Sequence, residues 1–384
     1  MKQFWSNHKH NPWFWAFAGL AIILLIAMPL MSRTAGNSGD EDGFQRPYGE
    51  QVYRFYASGG KDTTCLQNED MGMHGGFFDQ LTVAVVKMLH TDNYSQVRHT
   101  LNALFGWLGL LFAGLLCWRL INWRAGVFAM LLLFLSPRYL GHSFNNPKDL
   151  IFAAMMMVSL YYMVRFIQEY PKPRIKTSIL LAIFAALSIV SRLAGYLIFF
   201  YLILFLIIYH IIQQKKNSFS KTNWKLIGKY ALYVVAIMAV AFGITVALWP
   251  YIMSTPLKST LAIYHGMSNY QVSIRQLFEG TLQWSDQLPW YYTPKFIALT
   301  IPIAVMVGLL LFFLFGWRKK ENRYWSLLIL FVFLFPIGWI SISGANVYGG
   351  WRHALFAYPP MVVAAALGFE QLLEWLEIKF KINL

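Results

Sequence analysis

Ten long apolar stretches dominate this sequence and restrict how the chain can fold. A helix needs about 20 mostly apolar residues to cross a bilayer, because hydrocarbon offers no hydrogen-bond partner to free backbone groups. Only 13% of the residues are charged, against roughly 25% in soluble domains, so a soluble globule could not cover its surface. We therefore predict an all-α polytopic membrane protein of about ten transmembrane helices. The predicted spans are 13–31, 99–118, 125–137, 150–167, 177–191, 194–212, 230–249, 296–316, 326–342 and 355–376.

The basic residues predict the orientation of these spans, because cytoplasmic loops are enriched in Lys and Arg. With the N-terminus inside, nearly all of the formal net charge of +15 falls on cytoplasmic segments, where anionic lipids attract it. The charge is therefore explained by topology, and we expect no nucleic-acid partner. The first span follows Lys2 and Lys9 as in a signal peptide, but it is long enough to cross and no cleavage site is evident, so we expect a retained anchor.

Two long polar segments lie on the outer side of this predicted topology. We expect residues 1–384 to form a single integral membrane domain, with 32–98 as the first periplasmic loop and 250–294 as the second large one. Within the first loop, Phe77–Leu89 carries apolar residues at helical spacing. This pattern predicts an interfacial helix that lies on the membrane surface.

Three adjacent carboxylates, Asp40, Glu41 and Asp42, follow the first predicted span. Neighbouring carboxylates repel one another, which raises the pKa of one of them toward the range that suits a general base. A solvated acidic turn is the plain alternative. The position beside a membrane makes this segment a candidate for proton transfer.

The link between the third and fourth predicted spans concentrates polar side chains: Arg138, His142, Asn146, Lys148 and Asp149. Asn146 precedes a proline, which favours an extended backbone, and Asp149 is placed to cap the next helix. A plain tight turn would not need two cations, a histidine and an acid together. We therefore predict that this segment has a function.

Two further basic sites lie at the same predicted membrane face. Arg192 stands between two apolar runs with almost no loop, where a lone arginine could also snorkel to the interface. Tyr348, Trp351, Arg352 and His353 surround two glycines before the last span. Glycines permit close backbone approach, and Arg352 can hold a phosphate through two parallel hydrogen bonds. The two aromatic residues also fit an ordinary interfacial belt.

Taken together, these clusters place carboxylates and four cations at one membrane face: Arg138, Lys148, Arg192 and Arg352. Polar groups near a bilayer are costly and need a partner or a function. The combination suggests that cations hold an anionic lipid headgroup while a carboxylate handles a proton.

In these motifs the sequence resembles the GT-C membrane glycosyltransferases, in particular the branch of protein O-mannosyltransferases, bacterial aminoarabinose transferases (family 39) and RgtA-like proteins. Residues 40–44 are similar to the acidic first-loop motif of that family, and 136–149 to its second acidic loop. Residues 191–195 fall where relatives carry a basic residue before a glycine, and Arg192 stands where a lysine is often seen. Residues 352–360 resemble the basic-then-proline segment before the final span.

The resemblance implies a GT-C-type bundle that moves a sugar from a polyprenyl-phosphate-linked donor to an acceptor hydroxyl, with inversion by direct displacement. The acceptor would be a glycan, a lipid or a protein. Asp40 or Glu41 would be the general base. The implied ligands of the donor phosphate are Arg138, Lys148, Arg192, Arg352 and His353, and those of the sugar or acceptor are Asp42, Asn146, Asp149 and Tyr348. The protein would be a multi-pass protein of the bacterial plasma (inner) membrane, with a cytoplasmic N-terminus and a periplasmic active site.

Metal ligands do not form a clear pattern in the sequence. His74, His90 and His99 are scattered through the first loop and fit surface or interfacial positions better than a metal site. Cys65 and Cys117 lack the neighbours that a zinc site or a disulfide framework needs. An acidic pair can bind a divalent cation, but neither the residues nor the resemblance gives an expectation of a metal or another cofactor.

Two other functions compete with sugar transfer. A transporter or flippase for a lipid-linked sugar would place ionisable groups near the midplane, in broken helices and often in paired repeats. The polar clusters here lie at one predicted face, and no internal repeat is evident. A membrane scaffold without catalytic activity would explain the spans but leave the acids and cations without a purpose.

Overall fold

The computed structural model describes residues 8–214, 221–268 and 272–382. The predicted cytoplasmic cations Lys2, Lys215 and Lys216 lie outside these described residues. The α-helices are α1 (Pro12–Met31), α2 (Arg46–Ala57), α3 (Glu69–Met73), α4 (Phe77–Leu89), α5 (Tyr94–Leu120), α6 (Trp123–Phe134), α7 (Pro137–Asn145), α8 (Pro147–Gln168), α9 (Ile175–Ser191), α10 (Leu197–Gln214), α11 (Lys221–Leu248), α12 (Pro250–Ser254), α13 (Pro256–Ser268), α14 (Tyr292–Thr300), α15 (Ile303–Phe315), α16 (Lys320–Ile342) and α17 (Tyr358–Phe380).

Short helical turns and one hairpin complete the described elements. The π-helical turn Glu41–Gln45 precedes α2, and 3₁₀ turns occupy Ser32–Thr34, Thr64–Leu66, Leu193–Tyr196 and Arg352–Ala357. The antiparallel strands β1 (Arg275–Phe278) and β2 (Thr281–Trp284) pair with Arg275 opposite Trp284 and Phe278 opposite Thr281. The fold is therefore all-α with one small hairpin, as the apolar pattern predicts.

Six described helices are long and apolar enough to cross a membrane, or up to eight spans if each of two bent pairs counts as one. The bent pairs are α6 with α7, at 67°, and α14 with α15, at 111°. Pro137 and Pro302 lie at the two breaks, where a proline removes a helical hydrogen bond. The remaining predicted spans coincide with α9, which has only 17 residues, and with α17. A multi-pass membrane fold is confirmed, whereas the count of ten spans is not.

The chain divides into two compact units, each built from separate stretches of sequence. The first unit comprises Met1–Ala35, Asn102–Phe144 and Val272–Leu384, and the second comprises Gly36–Leu101 and Asn145–Gln271. Each of the two groups of candidate residues described below lies within one unit.

In the first unit, a buried ion pair joins α6 to α17. The guanidinium of Arg124 donates from Nε to Glu370 at 2.8 Å and from Nη1 to Glu377 at 2.8 Å. Asn122 caps α6 by accepting the N–H of Ala125 and also donates to Glu370 at 2.6 Å. A buried carboxylate needs such partners because removing it from water is costly.

In the second unit, α8 forms the centre of the apolar core. Of its most apolar 18-residue stretch, 89% is buried, and the helix packs against α9 and α10. α2 packs against α4, which occupies Phe77–Leu89, the range that the apolar spacing predicts. Asp149 lies where α8 begins, and Arg192 lies where α9 ends.

Candidate functional site

The acidic segment of the second unit contains one carboxylate that is fully enclosed. The side chain of Glu41 is 1% exposed. One of its oxygens accepts the N–H and the hydroxyl of Ser38 at 3.1 and 3.2 Å, and the other meets His99 Nε2 at 2.9 Å. Burial raises the pKa of Glu41, but hydrogen bonds from His99 and Ser38 and the nearby positive charges outweigh it and lower that pKa below its usual value. Glu41 is therefore ionised at neutral pH and already hydrogen-bonded.

Asp40 and Asp42, on either side of Glu41, are exposed. Asp42 accepts a hydrogen bond from Asn37 at 3.1 Å. Asp40 interacts electrostatically with Lys148. Among the three predicted carboxylates, Asp40 is therefore both exposed to solvent and close enough to Lys148 to interact with it electrostatically.

A buried ion pair between Arg98 and Asp79, which the sequence does not predict, lies near the contact between Glu41 and His99. Arg98 is 0% exposed and donates to Asp79 at 2.8 Å. The same guanidinium donates to Gln45 and lies over the ring of Phe78, 5.1 Å from its centroid. The only sequence signal was a pair of basic residues, Arg98 and His99, at the start of an apolar span. His99 was predicted to be a surface or interfacial residue, and this was wrong: it is buried because Glu41 pairs with it.

Asn146, Asp149 and Arg192 form a network at the start of α8. Asn146 is the N-cap: its side-chain oxygen accepts the N–H of Asp149 at 3.3 Å, and its amide donates to the Asp149 carboxylate at 2.9 Å. Arg192 donates to the other oxygen of that carboxylate. The expectation that Asp149 caps the helix was wrong, because Asn146 occupies that position. Asp149 instead holds Arg192, whose side chain is 31% exposed.

A pocket of the second unit opens between the start of α4 and the start of α8. His74, Gly76, Asp79, Lys148 and Ser191 are among its lining residues. Gly76 is the N-cap of α4, so the N-terminus of this helix lies at the pocket. A helix N-terminus beside a lysine is a favourable environment for an anion.

His74, which was predicted to be a surface or interfacial residue, lines this pocket. Burial, followed by the positive charges of Lys148 and Arg192, lowers the pKa of His74 to about 3. Its imidazole is therefore neutral at pH 7 and can both donate and accept a hydrogen bond. The pocket thus offers a cation and a neutral hydrogen-bonding ring.

The remaining predicted residues form a cluster in the first unit, where aromatic rings hold the cations. Arg138 donates to the carbonyl of Gly349, and its guanidinium carbon lies 5.5 Å from the centre of the Trp351 ring. The Arg352 guanidinium lies 4.5 Å from the centre of the Tyr348 ring. His353 packs edge-on against the same tyrosine at 4.8 Å. Cation–π contacts of this kind orient a guanidinium without neutralising it.

Two glycines make the turn of this cluster. Gly349 and Gly350 have φ of +68° and +70°, in the left-handed region. A Cβ on Gly350 would lie 2.6 Å from the Arg138 guanidinium. The N–H of Gly350 donates to the hydroxyl of Tyr292 at 3.2 Å. The backbone conformation therefore favours glycine at position 350, and a Cβ there would displace the Arg138 guanidinium.

The structure thus separates the predicted residues into two groups. Asp40, Glu41, Asp42, Asn146, Lys148, Asp149 and Arg192 belong to the second unit, and Arg138, Tyr348, Arg352 and His353 belong to the first. Within the described residues, no three or more His, Cys, Asp or Glu side chains are grouped so that they could hold a metal ion.

These features define a multi-pass helical membrane protein with buried ion pairs beside an anion-compatible pocket, and its fold is that of the GT-C glycosyltransferases. The chain is similar to ArnT from Cupriavidus metallidurans bound to undecaprenyl phosphate, with a TM-score of 0.64 and 16% identity over 94% of this chain and 61% of that one. It is also similar to the oligosaccharyltransferase AglB from Archaeoglobus fulgidus in complex with an inhibitory peptide and a dolichol-phosphate, with a TM-score of 0.57 and 12% identity over 94% of this chain and 51% of that one.

The chain therefore spans about three fifths of the length of ArnT and half that of AglB. No protein-family model and no curated protein sequence matches the chain.

Proposed function

We propose that this protein is a glycosyltransferase that moves a sugar from a polyprenyl-phosphate donor to an acceptor hydroxyl. The observation that carries the proposal is the pocket of the second unit, which Lys148 lines beside the N-terminus of α4, together with the electrostatic interaction of exposed Asp40 with that lysine. The GT-C fold supports it, as do the polyprenyl-type phosphates bound to ArnT and AglB. We further propose a bacterial plasma-membrane location, a cytoplasmic N-terminus and a periplasmic site.

In this proposal Asp40 is the general base. The acceptor oxygen attacks the anomeric carbon while Asp40 takes the proton of the acceptor hydroxyl. The bond between the anomeric carbon and the lipid phosphate oxygen breaks, and its electron pair stays on the phosphate. Attack opposite the leaving group inverts the anomeric centre. Glu41 is the poorer candidate because Ser38 and His99 already use both of its oxygens.

Lys148 and Arg192 would stabilise the charge that develops on the leaving phosphate. Lys148 lines the pocket, and Arg192 is held by Asp149 at the start of the same helix. Fixed positive groups aimed at developing charge lower a barrier without reorganisation during the reaction. Because the phosphate leaves as an anion, the mechanism needs no general acid. Asn146 and Asp149 would act mainly by orienting Arg192.

For the residues of the first unit we propose the roles that the family resemblance implies. Arg138, Arg352 and His353 would contact the donor phosphate, and Tyr348 would contact the sugar or the acceptor. Asp42 would bind the sugar or the acceptor in the second unit. The stacking of Arg352 on Tyr348 supports this proposal, because the guanidinium keeps its charge and its hydrogen-bond donors.

The proposal is tested with the purified protein in liposomes that contain a panel of radiolabelled polyprenyl-phosphate hexoses and pentoses. Envelope extracts supply glycan, lipid and protein acceptors. We expect the label to leave at least one donor and appear covalently on an acceptor, with inverted anomeric configuration. Movement of the intact donor across the bilayer without covalent transfer would establish the flippase instead, and no change in any donor would refute both functions.

A further inference from the structure

The π-helical turn Glu41–Gln45 is held at both ends by two consecutive residues of α5. His99 meets Glu41 at 2.9 Å at the beginning of the turn, and Arg98 donates to Gln45 at its end. The side chains of His99 and Glu41 are 4% and 1% exposed. π-Helical turns are rare and frequently occur at functional sites.

We propose that His99 is a positioning residue of the transfer reaction: it holds Glu41 so that Asp40, the preceding residue, presents its carboxylate to the acceptor. This inference rests on the proposed function. Adjacent Cα atoms are only about 3.8 Å apart, so fixing the Glu41 side chain also fixes the backbone that carries Asp40. Misplacing a catalytic group by about 1 Å can lower a rate by on the order of 10²-fold.

A buried carboxylate is a costly way to make a merely stable contact. Burying Glu41 removes a charged group from water, and well-packed apolar side chains of similar volume often stabilise a fold at least as well. The pair does, however, impose a direction, because the imidazole N–H must point at one carboxylate oxygen while Ser38 holds the other. This geometry fits a role in orientation.

The test compares His99→Leu, His99→Gln and the wild type in the liposome transfer assay. Glutamine retains a hydrogen-bond donor for Glu41, whereas leucine retains only volume. For His99→Leu we expect kcat to fall by about 10- to 100-fold, with the KM for the lipid donor within about twofold, since the phosphate ligands are other residues. His99→Gln should recover most of the lost kcat. His90→Gln, at an exposed histidine of the same predicted loop, is the matched control and should behave as wild type.

A second measurement does not depend on activity. Both native cysteines are buried, so a cysteine introduced by Asp40→Cys can be labelled selectively with a maleimide. In the double variant Asp40→Cys/His99→Leu, the introduced cysteine should react with the maleimide at least about threefold faster than in Asp40→Cys alone, because the turn is no longer held. In Asp40→Cys/His99→Gln, the slow labelling rate should return.

Four results distinguish the positioning role of His99 from the proposed function. A wild-type kcat in His99→Leu, or an unchanged labelling rate, overturns the positioning role. An equal loss of kcat in His99→Leu and His99→Gln also overturns it, because the retained hydrogen bond would then be irrelevant. Absence of transfer by the wild type, together with the expected labelling rates, refutes the proposed function but not the restraint of the turn by His99.

Discussion

The two charged clusters differ in how their cations are held. In the second unit, acids hold them: Arg98 is paired with Asp79, and Arg192 with Asp149. In the first unit, Arg352 lies on the Tyr348 ring, and Arg138 contacts the Trp351 ring and a backbone carbonyl. Pairing with an acid fixes a side chain and cancels its charge, whereas a ring orients a cation and leaves its charge in place. The comparison predicts that Arg352, which lies on a ring, keeps more of its positive charge than Arg98 and Arg192, which are paired with acids.

The largest expected effect on the transfer rate comes from removing Asp40, the proposed base. Asp40→Asn should lower kcat by about 10³-fold, since general-base catalysis contributes roughly 10² to 10⁴. Glu41→Gln should cost only about 10-fold, because Glu41 acts through position and not through proton transfer. Steady-state transfer rates in liposomes measure both, with Asp92→Asn as an exposed acid control. Equal losses at positions 40 and 41 would contradict this division of roles.

Lys148→Gln should lower kcat by on the order of 10²-fold, because the leaving phosphate loses a fixed positive charge. Lys61→Gln removes an exposed lysine of the same unit and should leave the rate unchanged. The same pair of variants can be compared for binding of undecaprenyl phosphate. If Lys148→Gln binds and turns over normally, Lys148 has no part in the mechanism.

Arg352→Ala tests the contribution of the first unit. We expect a loss of turnover of on the order of 10²-fold or more, by analogy with other charge-stabilising groups. Arg352→Lys should recover only part of it, because lysine cannot make two parallel hydrogen bonds to a phosphate. A folded Arg352→Ala protein with normal turnover would show that the aromatic-held cations are not catalytic.

A smaller effect is expected on the stability of the turn at Gly350. Gly350→Ala places a Cβ in a left-handed conformation and against Arg138. Gly344→Ala is the matched control, because Gly344 has φ of +62° with nothing within 4 Å. In both variants the strained backbone conformation should lower the free energy of unfolding by about 1 kcal/mol. In Gly350→Ala the contact with Arg138 should lower it by about 1 kcal/mol more. Thermal unfolding in detergent measures the difference, and equal losses would show that Arg138 moves aside freely.

A further effect concerns the pH dependence of stability. The pKa of His74 is lowered to about 3 in the folded protein, from an unfolded value of 6.5. The unfolded chain therefore binds a proton between these values while the folded one does not, and stability falls as pH drops below about 6.5, by at most about 1.4 kcal/mol per pH unit. Unfolding measured at pH 7 and pH 5 should show this loss, and His74→Gln should reduce it. An unchanged pH dependence in His74→Gln would contradict the assignment to His74.

The sequence predicts the membrane helices well because apolar length is a local property. Phe77–Leu89 is one example: the spacing of its apolar residues predicts the helix that the structure contains. The break between α6 and α7 shortens the third predicted span, and Pro137 marks it. The position of Phe77–Leu89 at a membrane surface stays a prediction.

The sequence does not predict which polar side chains pair. Glu41 and His99 are 58 residues apart, and neither carries a signal that it will be buried. The same holds for Asp79 and Arg98, which belong to different helices. Such pairs depend on how helices pack, so the burial of His99 and the position of His74 in a pocket appear only once the fold is known.

The most direct test of the account is an experimental structure of the protein with undecaprenyl phosphate bound. We predict that the phosphate lies within hydrogen-bonding distance of Lys148, at the pocket between the starts of α4 and α8, with the Asp40 carboxylate facing the side from which an acceptor would attack. A phosphate bound away from Lys148, with Asp40 turned to bulk solvent, would contradict the assignment of the reaction to this pocket.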